Sequence, residues 1–292
     1  MSSYHICLQN KNEVNDPYLS LNNYENNNTH ILSTDNSITF YKDYCETYYC
    51  DDSSNSHYIG EIIKDHIPLM GEFEFVFDYN FEENKRIYKE DLVIHILNCY
   101  HETIKELFFI SSTCQEFICA CLKTANYFNG KEKSFKLKFQ FPYCKVNLNF
   151  YKNNFYPSLM EKLSAKKIEN FFENPPLKKW NSILLKIQDS YPLYGSTTNK
   201  DIPCYKLIKF YGNILQEVKI ETVFDYKSHN VFQHTTEVHE DEDLQNDYEK
   251  CMFYLPLFLS MYFCTKKQKI KEDMKTSYLS SSTNSETNEE DE

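Results

Sequence analysis

Between Met70 and Asn80 the chain alternates apolar and acidic residues with period two, the signature of a β-strand whose side chains point to opposite faces. Phe73, Phe75, Phe77 and Tyr79 fall on one face, and Glu72, Glu74 and Asp78 on the other. A second alternation runs through Ser134–Phe141, where Phe135, Leu137, Phe139 and Phe141 oppose Lys136, Lys138 and Gln140. It predicts a half-buried strand with a basic exposed face, ended by Pro142. Between the two, Leu92, Val93, Ile96, Leu97, Tyr100, Ile104 and Leu107 recur at helical spacing and predict a helix from about Lys89 to Phe108. His95 and His101 lie off most of that stripe and are expected at the surface. Further elements are a strand or buried helical piece at Glu116–Lys123, a helix over Pro157–Phe172 stopped by Pro175-Pro176, a short element at Trp180–Ile187 and a strand at Tyr205–Tyr211.

Outside this body the pattern weakens. Residues 1–56 are polar and patchy and read as a partly disordered N-terminal extension with a short strand at Ser37–Tyr41, and Tyr58–Ile67 as a short helix or strand leading into the acidic one. Residues 57–236 form the body. Residues 237–275 read as an acidic spacer followed by a short helical segment at Glu249–Phe263, and residues 276–292 as a disordered acidic tail. Residues 1–30 and 276–292 are expected to be dispensable for folding.

The net charge of −12 argues against a polyanionic partner until its distribution is considered. Residues 237–249 and 272–292 carry seven acids each, whereas Lys131 to Lys186 holds twelve lysines against four acids. That middle segment is a candidate surface for phosphates; a merely solvated lysine face is the alternative. Arg86 is the only arginine, so bidentate reading of bases is nearly excluded and lysine point charges dominate. The eleven cysteines are scattered and odd in number, and the N-terminus lacks the look of a signal peptide, which predicts reduced thiols in an intracellular protein. No apolar run reaches membrane-spanning length.

Carboxylates gathered on one strand face repel, and a hard divalent cation is their usual compensation; two such cations are the apparatus of nucleotidyl transfer. An exposed strand with a wet acidic face is the bland alternative. Four stretches, taken in order, decide between them: Pro68–Phe75, Phe135–Tyr143, Leu193-Tyr-Gly-Ser196 followed by Pro203-Cys-Tyr205, and Leu257-Phe-Leu-Ser260. Together they resemble the primase domain of the primase-helicases of large nucleocytoplasmic DNA viruses, the poxvirus, asfarvirus and mimivirus group, which has the archaeo-eukaryotic primase fold.

The resemblance implies an α/β (α+β) fold in which a mixed or antiparallel sheet sets Phe73–Tyr79 beside Phe135–Phe141 under the Lys89–Phe108 helix. It implies a DNA-replication protein that makes primers by template-directed nucleotidyl transfer, with Mg²⁺ or Mn²⁺ as cofactor at Glu72, Glu74 and Asp78. Glu72, Glu74, Asp189 and Lys138 take the catalytic positions. Lys136, Lys138, Lys145, Ser196 and Tyr205 become candidates for nucleotide or nucleic-acid binding. The implied partners are a single-stranded DNA template, nucleoside triphosphates and a helicase on a separate polypeptide, at a viral replication site in the host cytoplasm or nucleus.

This sequence departs from the family pattern at each catalytic element. The family aspartates are Glu72 and Glu74, one methylene longer; the family histidine is Lys138; and Asp189 lies closer to Gly195 than the third family carboxylate would. Such changes point to a weakened or degenerate catalyst, with a non-catalytic single-stranded DNA-binding or scaffold module as the alternative. No GxxxxGK[ST] motif occurs in the chain, so an ATP-driven motor is not part of it.

Overall fold

The computed structural model describes residues 19–26, 28–32, 34–50, 58–78, 88–130, 132–224, 246–260 and 270. Two long antiparallel strands, β4 (His66–Asp78) and β7 (Glu132–Asn147), pair from His66 opposite Asn147 to Asp78 opposite Glu132. Strands β5 (Cys119–Thr124), β9 (Tyr205–Tyr211) and β10 (Glu217–Val218) continue the sheet beyond β7 in the order β10-β9-β5-β7-β4, and β6 (Tyr127–Asn129) also pairs with β7. The architecture is thus the expected mixture of helices and antiparallel sheet, with the two alternating segments as neighbours.

Period two divides this sheet into an aromatic face and a charged one. Phe73, Phe75, Phe77, Phe135, Leu137, Phe139 and Phe141 enter one core together with Cys119, Cys121 and the apolar stripe of helix α2 (Glu90–Leu107). The rings interlock across the strand pair: Phe75 stacks on Phe135 at 5.0 Å, and Phe73 meets Phe139 edge-on at 5.6 Å. Helix α2 begins with Glu90 and Asp91 and carries Lys105 in its last turn, each sign placed where the helix dipole favours it. Closure of this layer depends on Gly71, where an added Cβ would lie 1.9 Å from the Tyr100 hydroxyl.

Pro142 does not end β7. The register shifts between Pro68 and Leu69, which face Lys145 and Phe141 respectively, so Pro142 sits in a bulge where the ladder does not need the amide that proline lacks. β4 is the last strand in its sheet, and its outer edge is not left open: Leu177 and Leu185 donate backbone N–H groups to Val76 and Glu72 at 2.8 Å.

The extension expected to be partly disordered with one short strand carries two strands and a helix among its described residues. β1 (Leu19–Asn23) and β2 (Asn28–Leu32) join β3 (Ile59–Ile62) and β8 (Ser190–Pro192) in a second antiparallel sheet, ordered β2-β1-β3-β8. The strand expected at Ser37–Tyr41 is instead part of helix α1 (Thr34–Cys50). Phe40, Tyr41, Tyr44 and Cys45 have the i, i+1, i+4, i+5 spacing of a buried helical stripe, and they bury Leu21, Leu32 and Leu193 together with Phe253 and Leu257. Residues 1–18 and 276–292 lie outside the described residues, but a truncation at residue 30 would remove β1 and most of β2.

Two other expectations are revised. The helix expected over Pro157–Phe172 is a regular helix only over Tyr156–Ser164, followed by a 3₁₀ turn at Ile168–Phe171. The C-terminal helical segment is two short helices, Asp247–Phe253 and Leu255–Phe258, which cover the charged face of the main sheet at one end through Leu255, Phe258 and Leu259.

His95 and His101 are buried, not at the surface. Aromatic neighbours widen the apolar side of α2 beyond the predicted stripe: His95 stacks on Phe171 at 4.9 Å, and His101 packs against Phe117 at 4.8 Å. Burial lowers both pKa values, that of His101 to about 4.

These contacts make the stability of the domain testable at Gly71 and at the histidines. Gly71→Ala should cost at least ~1–3 kcal/mol in urea unfolding, since the methyl group and the Tyr100 hydroxyl cannot both be accommodated. For the histidines, the unfolded chain binds more protons below the ordinary value of about 6.5, so stability should be constant above that pH and fall as pH drops toward 4. His101 alone accounts for roughly 3 kcal/mol of this loss, and urea midpoints of wild type and His101→Phe across the window would measure it.

Candidate nucleic-acid and nucleotide interface

The charged face is built by the even-numbered residues of β4 and β7. Register sets Glu72 opposite Lys138 and Glu74 opposite Lys136, but the ion pairs form one step off the ladder. Lys136 Nζ reaches diagonally to Glu72 Oε1 at 2.9 Å, with side-chain exposures of only 12% and 6%. Glu74 takes its partners from elsewhere: its Oε1 accepts from the Tyr127 hydroxyl at 2.9 Å, and its Oε2 from Lys178 Nζ at 3.2 Å. Burial raises the Glu74 pKa, but the Tyr127 and Lys178 hydrogen bonds and the Lys136 charge outweigh it and hold the carboxyl below its ordinary value.

Lys138 is buried, so the exposed basic face predicted for this strand is not formed. Its Nζ lies over the Tyr191 ring at 5.3 Å and the Tyr205 ring at 6.0 Å. Burial lowers its pKa, opposed by the negative charges of Glu72 and Glu61. The Tyr205 and Tyr191 hydroxyls, buried near Glu72, are both made harder to ionise. The lysine's neighbourhood comes from both sheets, since Tyr191 lies on β8 and Glu61 on β3.

Glu61 is itself anchored. Buried on β3, it accepts from the Tyr41 hydroxyl of α1 and from the hydroxyl of Ser260, just past the Leu255–Phe258 helix, and those two hydroxyls are 2.7 Å apart. Gln140, on the same face two residues past Lys138, donates its side-chain amide to the Leu259 carbonyl at 2.5 Å. The C-terminal segment therefore closes one end of the charged face, leaving Lys136, Glu74 and Lys178 at the other end nearer to solvent.

Of the residues singled out in the sequence, Glu72, Glu74, Lys136, Lys138 and Tyr205 come together. Asp78 is exposed at the far end of β4, opposite Glu132. Asp189 is exposed just before β8 and contributes its backbone carbonyl to Ile63 N–H at 2.9 Å. Lys145 lies opposite Pro68 beyond the bulge, and Ser196 is buried with its hydroxyl 2.8 Å from that of Tyr44. Among the described residues no three His, Cys, Asp or Glu side chains are grouped to hold a metal ion. The lysines of 131–186 do not form one surface either. Lys162, Lys166 and Lys167 belong to the helical layer on the aromatic face, whereas Lys136, Lys138 and Lys178 belong to the charged one.

Sequence reasoning missed Tyr127, Lys178, Glu61 and Tyr191. Tyr127 had a readable signal: it opens the Tyr-Phe-Asn-Gly hairpin whose Gly130 has φ +67°, and the β6–β7 pairing sets Tyr127 opposite Ser134. Lys178 follows the Pro175-Pro176 pair in an irregular loop, and no periodicity marks it.

The unequal burial of the two ion pairs sets a prediction. Glu72→Ala would leave Lys136 without its partner at a nearly buried site and should cost ~3–5 kcal/mol in chemical unfolding. Lys178→Ala, which breaks a pair 38% and 20% exposed, should cost less than ~1 kcal/mol.

Residues 21–211 match the family described as the C962R protein N-terminal AEP domain, a span that takes in β1 through β9. Over 188 residues the chain is 21% identical to "Putative helicase 121R" of Invertebrate iridescent virus 3, which covers 58% of this chain but only 19% of that relative. The chain thus matches about a fifth of the relative's length. With the matched region running from β1 to β9 and the two alternating strands at its centre, the chain belongs to the C962R-type AEP family, the archaeo-eukaryotic primase domain of viral primase-helicases.

Proposed function

We propose that this chain serves the replication of a large virus's DNA as a primase-type domain that holds single-stranded template and nucleotide phosphates, and that its own nucleotidyl-transfer centre is degenerate. The observation that carries this reading is the state of the two strand carboxylates. Glu72 is paired with Lys136, and both oxygens of Glu74 are taken by Tyr127 and Lys178. Two carboxylates so engaged, with Asp78 and Asp189 exposed elsewhere, do not fit a pair of Mg²⁺ or Mn²⁺ ions, which needs several free oxygen ligands. Lys178, 38% exposed at the open end of the face, suits a different role, offering a point charge to a phosphate backbone without base reading. Helicase activity would come from another part of the replication machinery. Among the described residues no helix is long and apolar enough to cross a membrane.

Metal-dependent primer synthesis at Glu72 and Glu74 is the second reading. One observation favours it: the two glutamates share a face of β4 next to the family's histidine position, and Glu74 is held in its ionised form.

Fluorescence anisotropy of a labelled single-stranded oligonucleotide over a salt series tests the first reading. Binding should weaken steeply with salt and show little sequence preference, and Lys178→Gln should lower the log–log slope by roughly 0.7, one phosphate's worth on a single strand. A flat salt dependence would overturn it. Primer synthesis with nucleoside triphosphates and Mn²⁺ separates the two readings. Wild type should give no more product than Glu74→Ala; product that disappears in Glu74→Ala would establish the second reading instead.

A further inference from the structure

We infer that Lys136 and Lys178 stand in for divalent cations on this sheet face, so that two ammonium groups built into the chain neutralise Glu72 and Glu74 and the site stays formed without any metal. This rests on the assignment of Glu72 and Glu74 to the acid positions of the primase fold, and it deepens the degenerate reading by naming what replaced the ions. The charges balance within the chain, one lysine to each carboxylate. The contacts are direct, at 2.9 Å and 3.2 Å, and the remaining Glu74 oxygen accepts from Tyr127. A divalent ion entering here would have to displace both ammonium groups and the Tyr127 hydroxyl, leaving Lys136 charged in a nearly buried position. It would also sit near Lys138, which is confined between Tyr191 and Tyr205 and cannot swing out to solvent.

The two lysines reach the carboxylates by separate routes, which makes the replacement separable by mutation. Lys136 is fixed by the β7 ladder, its backbone N–H donating to Thr124 Oγ1 at 2.9 Å. Lys178 arrives from the segment that caps the outer edge of β4 through Leu177. Removing the exposed lysine frees one Glu74 oxygen while the buried pair stays intact; removing both takes the ammonium from each carboxylate and leaves Glu74 with the Tyr127 hydroxyl.

The test uses Mn²⁺ alone as the probe, followed by the loss of its free-ion electron paramagnetic resonance signal and by thermal unfolding with and without the ion. Wild type, Glu74→Gln, Lys178→Gln, Lys136→Gln/Lys178→Gln and the double variant with Glu74→Gln are compared as full chains. Wild type should take up no more Mn²⁺ than Glu74→Gln and show no change in Tm on addition of EDTA. Lys178→Gln should gain at least tenfold in Mn²⁺ affinity, the double variant more, and Glu74→Gln should abolish the gain. Should the double variant fail to fold, Lys178→Gln alone decides, because its lysine is partly exposed and its loss leaves the buried pair untouched. Stoichiometric Mn²⁺ uptake by wild type that is lost in Glu74→Gln would overturn the inference, as would the absence of any gain in the folded lysine variants. Oligonucleotide binding measured in EDTA on the same wild-type sample distinguishes the two proposals. Lost template binding with no Mn²⁺ uptake would refute the template-holding reading alone, and retained binding with Mn²⁺ uptake the ion replacement alone.

Discussion

The antiparallel pairing of β4 with β7 is the constraint on which everything else in this chain depends. Each strand alternates, and pairing in register aligns one aromatic row with the other and one charged row with the other. A slip of a single residue would put Phe73, Phe75 and Phe77 among the lysines and Glu72 and Glu74 under α2. Burying the aromatic row therefore fixes the register, and the register then fixes which charges meet. The fold does not choose the chemistry of the second face independently of the packing of the first.

Having fixed that register, the chain must compensate charges on a face that is not fully wet. Glu72, Lys138 and Glu61 are all buried, and isolated ions in such positions would cost several kcal/mol each after relaxation. The compensation is mutual: diagonal pairing of Lys136 with Glu72, tyrosine rings around Lys138, and hydroxyl donors on Glu61 and Glu74. Tyrosine is well suited to both of the latter roles, since its ring is apolar enough to pack and its hydroxyl satisfies a carboxylate. The abundance of tyrosine in the composition thus has a structural use at this site.

Legibility followed the range of the interaction. The two alternating strands and α2 were readable because period two and period 3.6 are properties of a few consecutive residues, and Tyr205–Tyr211 was readable for the same reason. The order of the motifs carried the family and hence the topology, which no local pattern contains. Helix α1 was lost because Thr34, Asp35, Asn36, Thr39 and the aromatic residues are weak helix formers, and tertiary burial of Tyr41 and Tyr44 overrode that preference. The histidines of α2 were misplaced because the aromatic residues that cover them, Phe171 and Phe117, come from outside the helix. At the site, Glu72, Glu74, Lys136 and Lys138 were legible as strand neighbours. Their partners Tyr127, Lys178 and Tyr191 were not, since each of those contacts joins residues far apart in sequence, 53 positions for Tyr127 and 104 for Lys178.

Glu61 shows why such long-range contacts matter for the behaviour of the domain. Its carboxylate joins β3, helix α1 through Tyr41, and the C-terminal segment through Ser260, while its charge bears on Lys138 across the boundary between the two sheets. Gln140 ties the same C-terminal segment to β7, the strand that carries Lys136 and Lys138. A displacement of residues 255–260 would unpair a buried carboxylate and a buried amide together, and each unpaired group costs more than a single hydrogen bond gains. The segment that follows the family-matched region is therefore bonded into the charged face, and its position and the electrostatic environment of Lys138 are set by one connected group of side chains.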